Sequence, residues 1–189
     1  MLYKLFKWYT VPGRETDPKT GKEVIFLEEG NIELHLCHVK GRKSKIFCSD
    51  QGRFFHLRNG QLSEIKPTGY NPNGHFTYSG GRIFYLSIRQ CSPHKTCHAL
   101  VYEAWIGERH ADMQIDHING VTTDNRACNL QEVSPAENRK RAKLLRVLRR
   151  IGRDPRKISR DELLEIFRKY EFVAGSKQME YEMSHHMEV

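Results

Sequence analysis

Turn signals cut the first half of this chain into pieces too short for helices, and nothing else in the sequence constrains its fold as strongly. They are Asp17-Pro-Lys-Thr-Gly21, Asp50-Gln-Gly52, Asn59-Gly60, Gly69-Tyr-Asn-Pro-Asn-Gly74 and Ser79-Gly-Gly81. The stretches between them favour strands. Residues 2–11 are rich in aromatics, residues 32–39 alternate apolar with polar, and residues 53–57, 75–78 and 83–88 are further short strand candidates. The turn at 17–21 predicts a hairpin between residues 2–11 and 24–27. Residues 41–45, Gly-Arg-Lys-Ser-Lys, form a basic loop suited to phosphate or simply to solvent.

The pattern changes near Thr96. Leu100, Val101, Ala104 and Trp105 have helical spacing, which predicts a short helix that buries Leu100, Val101 and Trp105 and ends at Gly107. Ser134-Pro-Ala-Glu137 carries three helix-start signals: an N-cap serine, a first-turn proline and a glutamate completing a capping box. That helix is expected to run to about Arg150. Gly152 to Pro155 breaks it, and Ser159-Arg-Asp-Glu162 opens another, with Leu163, Leu164, Phe167 and Tyr170 on one face. The reading is α+β, a β-rich N-terminal region followed by helices. The organisation it predicts is an N-terminal β region (1–45), a small DNA-contacting β module (46–95), a central domain with a basic helix (96–150), a C-terminal helix (151–173) and a disordered tail (174–189).

Composition narrows the partner. The 189 residues carry a formal net charge of +8, which favours a polyanion, nucleic acid being the usual one. Ten Lys or Arg and one acid, Asp154, lie between Arg139 and Lys157. The five cysteines stand at 37, 48, 91, 97 and 128, with no Cys-x-x-Cys pair. A structural zinc is not expected, and the pattern suits a reducing compartment. Lys4 and Lys7 interrupt the apolar N-terminus, so it reads as neither a signal peptide nor a membrane span. A soluble cytoplasmic protein, bacterial or phage-encoded, with no membrane partner, is the expectation.

The chemistry is concentrated between Ile115 and Asn138. Phosphodiester hydrolysis needs a base for water, a cation for the phosphate charge, and groups that hold both still. His117 has a pKa suited to a general base. Asp116 is a hard oxygen ligand for Mg²⁺ or Mn²⁺, and the Asn138 amide oxygen, on the first turn of the capped helix, is a second. Asn129, at the start of a second strand, would hold its side chain or carbonyl beside His117. Adjacent strand residues point to opposite faces, so Asp116 and His117 share a site only near a strand end; the Asn119-Gly120 turn supplies one. Asn125 also falls within this stretch. Arg139, Lys140, Arg141, Lys143 and Arg146 would meet DNA phosphates.

These residues carry a family resemblance. His98-x-Leu-Val-x-Glu-Ala-Trp105, Asp116-His117-Ile-Asn-Gly120, Asn125-Arg126, Asn129-Leu130 and Glu137-Asn138 together resemble the HNH endonucleases, over about residues 96–142. The group they look most like is the phage and intron-associated homing type, whose site lies on a ββα-metal fold. Phe47 to Phe55, with Gly69-Tyr70 downstream, is similar to a small β module that precedes the domain in such nucleases. The resemblance implies one divalent ion on Asp116 and Asn138, His117 as general base, Asn129 orienting it, and a structural role near the site for His98 and Asn125. It implies 3′-hydroxyl and 5′-phosphate products. Ala99, Gln131 and Glu132 stand where the group often has arginine, arginine and tryptophan, which bears on DNA contacts and packing rather than on the catalytic positions.

The expected activity is therefore metal-dependent cleavage of double-stranded DNA, nicking as a monomer. Two other classes compete: a DNA-binding protein built on a degenerate nuclease domain, and an RNA-binding protein stacking bases on Phe54, Phe55, Phe76 and Tyr78.

Overall fold

The computed structural model describes residues 8–10, 14–16, 18, 23–27, 32–37, 45–70, 85–88, 95–170, 173 and 175–186. The chain divides into two compact units. One comprises residues 1–109 and 122–128; the other comprises residues 110–121 and 129–189.

The first unit is built on an antiparallel sheet of seven strands: β1 (Trp8–Thr10), β2 (Arg14–Thr16), β3 (Glu23–Leu27), β4 (Ile32–Leu36), β5 (Lys45–Cys48), β6 (Phe54–Arg58) and β7 (Gln61–Ile65), in the order β1-β7-β6-β5-β4-β3-β2. Its core is Ile25, Leu27, Leu34, Phe47, Phe55, Leu57 and Leu62. The register explains the set, because Phe47 pairs with Phe55 and Leu57 with Leu62 across neighbouring strands. The β6–β7 turn is the one that Asn59-Gly60 predicts: both residues have positive φ, 47° and 77°, which matches the right-handed twist of a two-residue hairpin.

Three expectations change here. The first strand pairs with β7, Trp8 opposite Ser63, and not with β3, whose edge is taken by β2. One sheet runs across residue 45, so the expected 1–45 region and the 46–95 module share it. Gly69 and Tyr70 lie in β8 (Thr68–Tyr70), where they pair with Leu86 and Tyr85 of β9 (Tyr85–Ile88). Strand pairing overrides the turn preference of Gly69. Residues 41–44, 71–84 and 91–94, including Phe76, Tyr78 and Cys91, lie outside the described residues.

β9 also pairs with β10 (Lys95–Thr96), which leads into α1 (Cys97–Trp105). Leu100 and Val101 are fully buried. Trp105 is half-buried: its indole N–H donates to the Cys48 carbonyl at 3.1 Å, and its ring stacks on His35 at 3.8 Å. The His35 Nδ1 lies 3.0 Å from the Ala104 carbonyl oxygen. Helix α1 ends at Trp105, capped by Ile106, one residue short of the expected stop at Gly107.

The second unit contains β11 (Gln114–His117), β12 (Leu130–Val133), α2 (Pro135–Arg150), α3 (Arg160–Lys169) and α4 (Ser176–His186). β11 and β12 are antiparallel, with Asp116 opposite Gln131 and His117 opposite Leu130. Ser134 caps α2 by accepting from the Glu137 N–H at 3.2 Å. At the other end Gly152 has φ +81°, Arg153 N–H donates to the Leu148 carbonyl and Gly152 N–H to that of Arg149. This paired closure is why the helix stops where glycine follows it. Ser159 caps α3 by accepting from the Glu162 N–H.

The expected disordered tail is instead the site of α4. Met179 and Met183 are buried at 2% and 0% exposure in one core with Leu144, Leu148, Leu163, Ile166 and Phe167. Two unbranched apolar side chains one turn apart are enough to dock a helix that is polar elsewhere. Among the described residues no helix is long and apolar enough to cross a membrane.

Candidate active site

β11 brings Gln114 and Asp116 to one face, because alternate strand residues point the same way. Asn138, on the first turn of α2, donates its Nδ2 to Gln114 Oε1 at 2.8 Å. That bond puts Asn138 on the Asp116 side of the strand and engages its amide nitrogen, so the amide oxygen is the atom it offers to a ligand. Gln131, opposite Asp116, donates its Nε2 to Asp116 Oδ2 at 3.1 Å. Arg141 Nη1 stands 3.7 Å from the same oxygen, while its Nη2 donates to Glu137 Oε1 at 3.1 Å. Burial raises the Asp116 carboxyl above its ordinary value of 3.8; Arg141, Gln131 and the His117 backbone N–H pull the other way without cancelling it.

His117 ends β11 and is buried at 5% exposure. Its carbonyl accepts from Gly120 N–H at 2.7 Å, which closes the turn directly after it. Asn129 secures the same turn. Its Oδ1 accepts from the Asn119 backbone N–H at 3.1 Å, its Nδ2 donates to Asn119 Oδ1 at 3.0 Å, and its carbonyl accepts from Ile118 N–H at 2.9 Å. Asn129 closes a 3₁₀ turn (Ala127–Asn129) just before β12 rather than starting the strand.

The sequence-predicted residues divide between the units. Asp116, His117, Asn129, Asn138 and the α2 cations belong to the second; His98 and Asn125 belong to the first. His98 Nε2 lies 3.1 Å from Thr96 Oγ1. Asn125 is buried, and a Cβ on Gly52 would come within 2.9 Å of its carbonyl oxygen, so the 122–128 loop needs a glycine beneath it. Of the α2 cations, Arg139, Lys140 and Arg146 are exposed, Lys143 is half-buried, and Arg141 is drawn in toward Asp116.

Sequence reasoning missed Gln114, Asn119 and Gln131. Alternation along β11 is the signal for Gln114, whereas Asn119 beside Gly120 reads only as part of a turn. Gln131 depends on the β11–β12 register, which no local pattern specifies.

Residues 95–140 match the family model described as HNH endonuclease. The chain carries an HNH endonuclease domain. The match takes in β10, α1, both strands of the β11–β12 pair and the start of α2. An HNH nuclease domain implies a nucleic-acid substrate. No curated protein and no solved structure matches the chain.

HNH nucleases generally use a divalent ion, and the donor set here fits a hard one. Asp116 could offer a carboxylate and Asn138 an amide oxygen, and a magnesium-like ion takes one or two carboxylates and fills its sphere with water and phosphate. Among the described residues no group of three or more His, Cys, Asp or Glu is gathered, which is not the donor set of a closed protein cage.

Proposed function

We propose that this protein is a metal-dependent DNA endonuclease of the phage or mobile-element, homing-like type, acting as a monomer that nicks one strand of a duplex. The observation that carries the reading is that Asp116, His117 and Asn138 fall on the strand end and capped helix start of the segment matching the HNH endonuclease model.

In this mechanism Asp116 and Asn138 would hold one Mg²⁺ or Mn²⁺, which would supply charge neutralisation at the phosphate and the leaving oxygen. His117 takes a proton from water as the water oxygen bonds to phosphorus. The P–O3′ bond breaks, the 3′-oxygen takes a proton from solvent water and leaves as a hydroxyl, and the phosphate stays on the O5′ of the downstream nucleotide. Asn129 fixes His117 indirectly, by clamping the turn through Asn119. Gln131 holds the Asp116 carboxylate in its orientation. Arg139, Lys140, Lys143 and Arg146 carry the backbone contacts.

The experiment is cleavage of supercoiled plasmid with Mg²⁺ or Mn²⁺, beside EDTA and His117→Ala. Metal-dependent nicking that His117→Ala abolishes supports the reading. Duplex binding without cutting, over a library of random targets, would sink it in favour of a binding protein on a degenerate domain; the Arg141 guanidinium beside Asp116 is the feature favouring that alternative. The RNA-stacking reading loses two of its aromatics, since Phe54 and Phe55 are fully buried.

A further inference from the structure

The helices of the second unit form an open pocket, of whose lining only Lys140 has been given a backbone contact above. Glu137, Lys140, Arg141 and Leu144 of α2, Phe167 and Arg168 of α3, Tyr170, and Met179 of α4 line it, with an empty volume of about 450 Å³ including its open mouth. Leu144, Phe167 and Met179 make the apolar floor. Three cations face one acid, and that acid already accepts from Arg141 Nη2.

Some of the polar groups in this lining are unmatched. The Tyr170 side chain is 3% exposed, and its hydroxyl has no hydrogen-bond partner among the described residues. The Nε and Nη1 of Arg141 are buried without one too, although Nη1 stands within ion-pair range of Asp116 and the guanidinium lies 4.7 Å from the Phe167 ring centroid. Buried donors without acceptors are costly, so such groups normally meet a ligand or water. Three such donors, with Lys140 and Arg168 beside them, call for an acceptor that is anionic and has several oxygens.

The position on α2 suggests where that anion comes from. Arg139, Lys143 and Arg146 recur at i, i+4 and i+7 and form one stripe. Glu137, Lys140, Arg141 and Leu144 form another. Asn138, bonded to Gln114 of the candidate site, falls between them. A strand laid across Asn138 therefore meets the basic stripe on one side and the pocket on the other.

We propose that this pocket is a second phosphate subsite, which takes a non-scissile backbone phosphate of the nucleic-acid partner through Tyr170, Arg141, Arg168 and Lys140. The inference rests on the nucleic-acid reading above and adds to it the residues that grip the strand beyond the scissile bond.

The test uses the full chain in EDTA, so that binding is read without cutting. Tyr170→Phe keeps the charge and the shape. Wild type and Tyr170→Phe are titrated with a short DNA duplex, and their melting is followed with inorganic phosphate against chloride at matched ionic strength. Loss of a donor to a charged acceptor predicts roughly tenfold weaker duplex binding for Tyr170→Phe, with ligand-free stability unchanged or raised. Phosphate should stabilise the wild type more than the variant, and Arg168→Gln should lower the salt dependence of duplex binding by about one phosphate contact. Equal duplex affinity for wild type and Tyr170→Phe overturns the subsite. Stabilisation by free phosphate without any effect on duplex binding overturns its assignment to the nucleic-acid backbone. Plasmid cutting is read separately: its absence counts against the nuclease, and the duplex titration alone decides the subsite.

Discussion

Asn129 holds Asn119 at two points, accepting from its backbone N–H at 3.1 Å and donating to its side-chain oxygen at 3.0 Å. Asn119 Oδ1 also accepts from Val121 N–H at 2.9 Å, so one pair of amides fixes the whole turn after His117. Asn119→Ala leaves the buried Asn129 amide and the Val121 N–H without their acceptor. The expected cost is about 1–3 kcal/mol in urea unfolding, with nicking slowed through kcat more than KM. In a double-mutant cycle with Asn129→Ala, additive losses would refute the coupling.

Gly120 sits in the same turn with φ +65°, and a Cβ there would stand 2.7 Å from Leu145 Cδ1 and 3.0 Å from Arg149 Nη2. Gly120→Ala should therefore lose at least about 1–2 kcal/mol, from the left-handed backbone alone. Thermal melting checks it; a melting temperature equal to the wild type would show that the turn relaxes freely.

Asp116 sets a pH dependence in the metal-free protein. Its folded pKa lies above the ordinary 3.8, so the folded state binds the proton more tightly than the unfolded chain does. That contribution to stability is present below 3.8 and is lost as pH rises through the higher folded value. In EDTA, the stability difference between wild type and Asp116→Asn should shift against the wild type across this window. A difference that stays flat with pH would contradict the burial argument.

Met183 is fully buried and anchors α4. Met183→Ala should cost about 2–5 kcal/mol, by analogy with other large-to-alanine core changes. Circular dichroism with urea titration measures it, and a negligible loss would mean that α4 adds nothing to this core.

Ser134 provides the local anchor for Asn138. Ser134→Ala should remove about 1 kcal/mol of stability through the lost N-cap. It should also weaken the binding of Mn²⁺, followed by calorimetry, because Asn138 lies one turn from the cap. Unchanged Mn²⁺ affinity would separate the helix start from the metal.

The sequence by itself determined what its neighbours in the chain could enforce. Asn59-Gly60 fixed a hairpin because few residues tolerate two successive positive φ angles. Ser134 and Gly152 fixed both ends of α2 through backbone groups a turn away. The strand end at His117 was legible from Asn119-Gly120, and with it the residue types of the candidate site. Only the tertiary structure decided what depends on partners far along the chain. β1 took β7 because an edge was open there, and α4 formed because Met179 and Met183 met the core of α2 and α3. Gln131 reached Asp116 through strand register, and Arg141 came to lie between Asp116 and a pocket lined by Tyr170. Local hydrogen bonds are written in short stretches of sequence; long-range packing is settled only when the whole chain buries its apolar surface together.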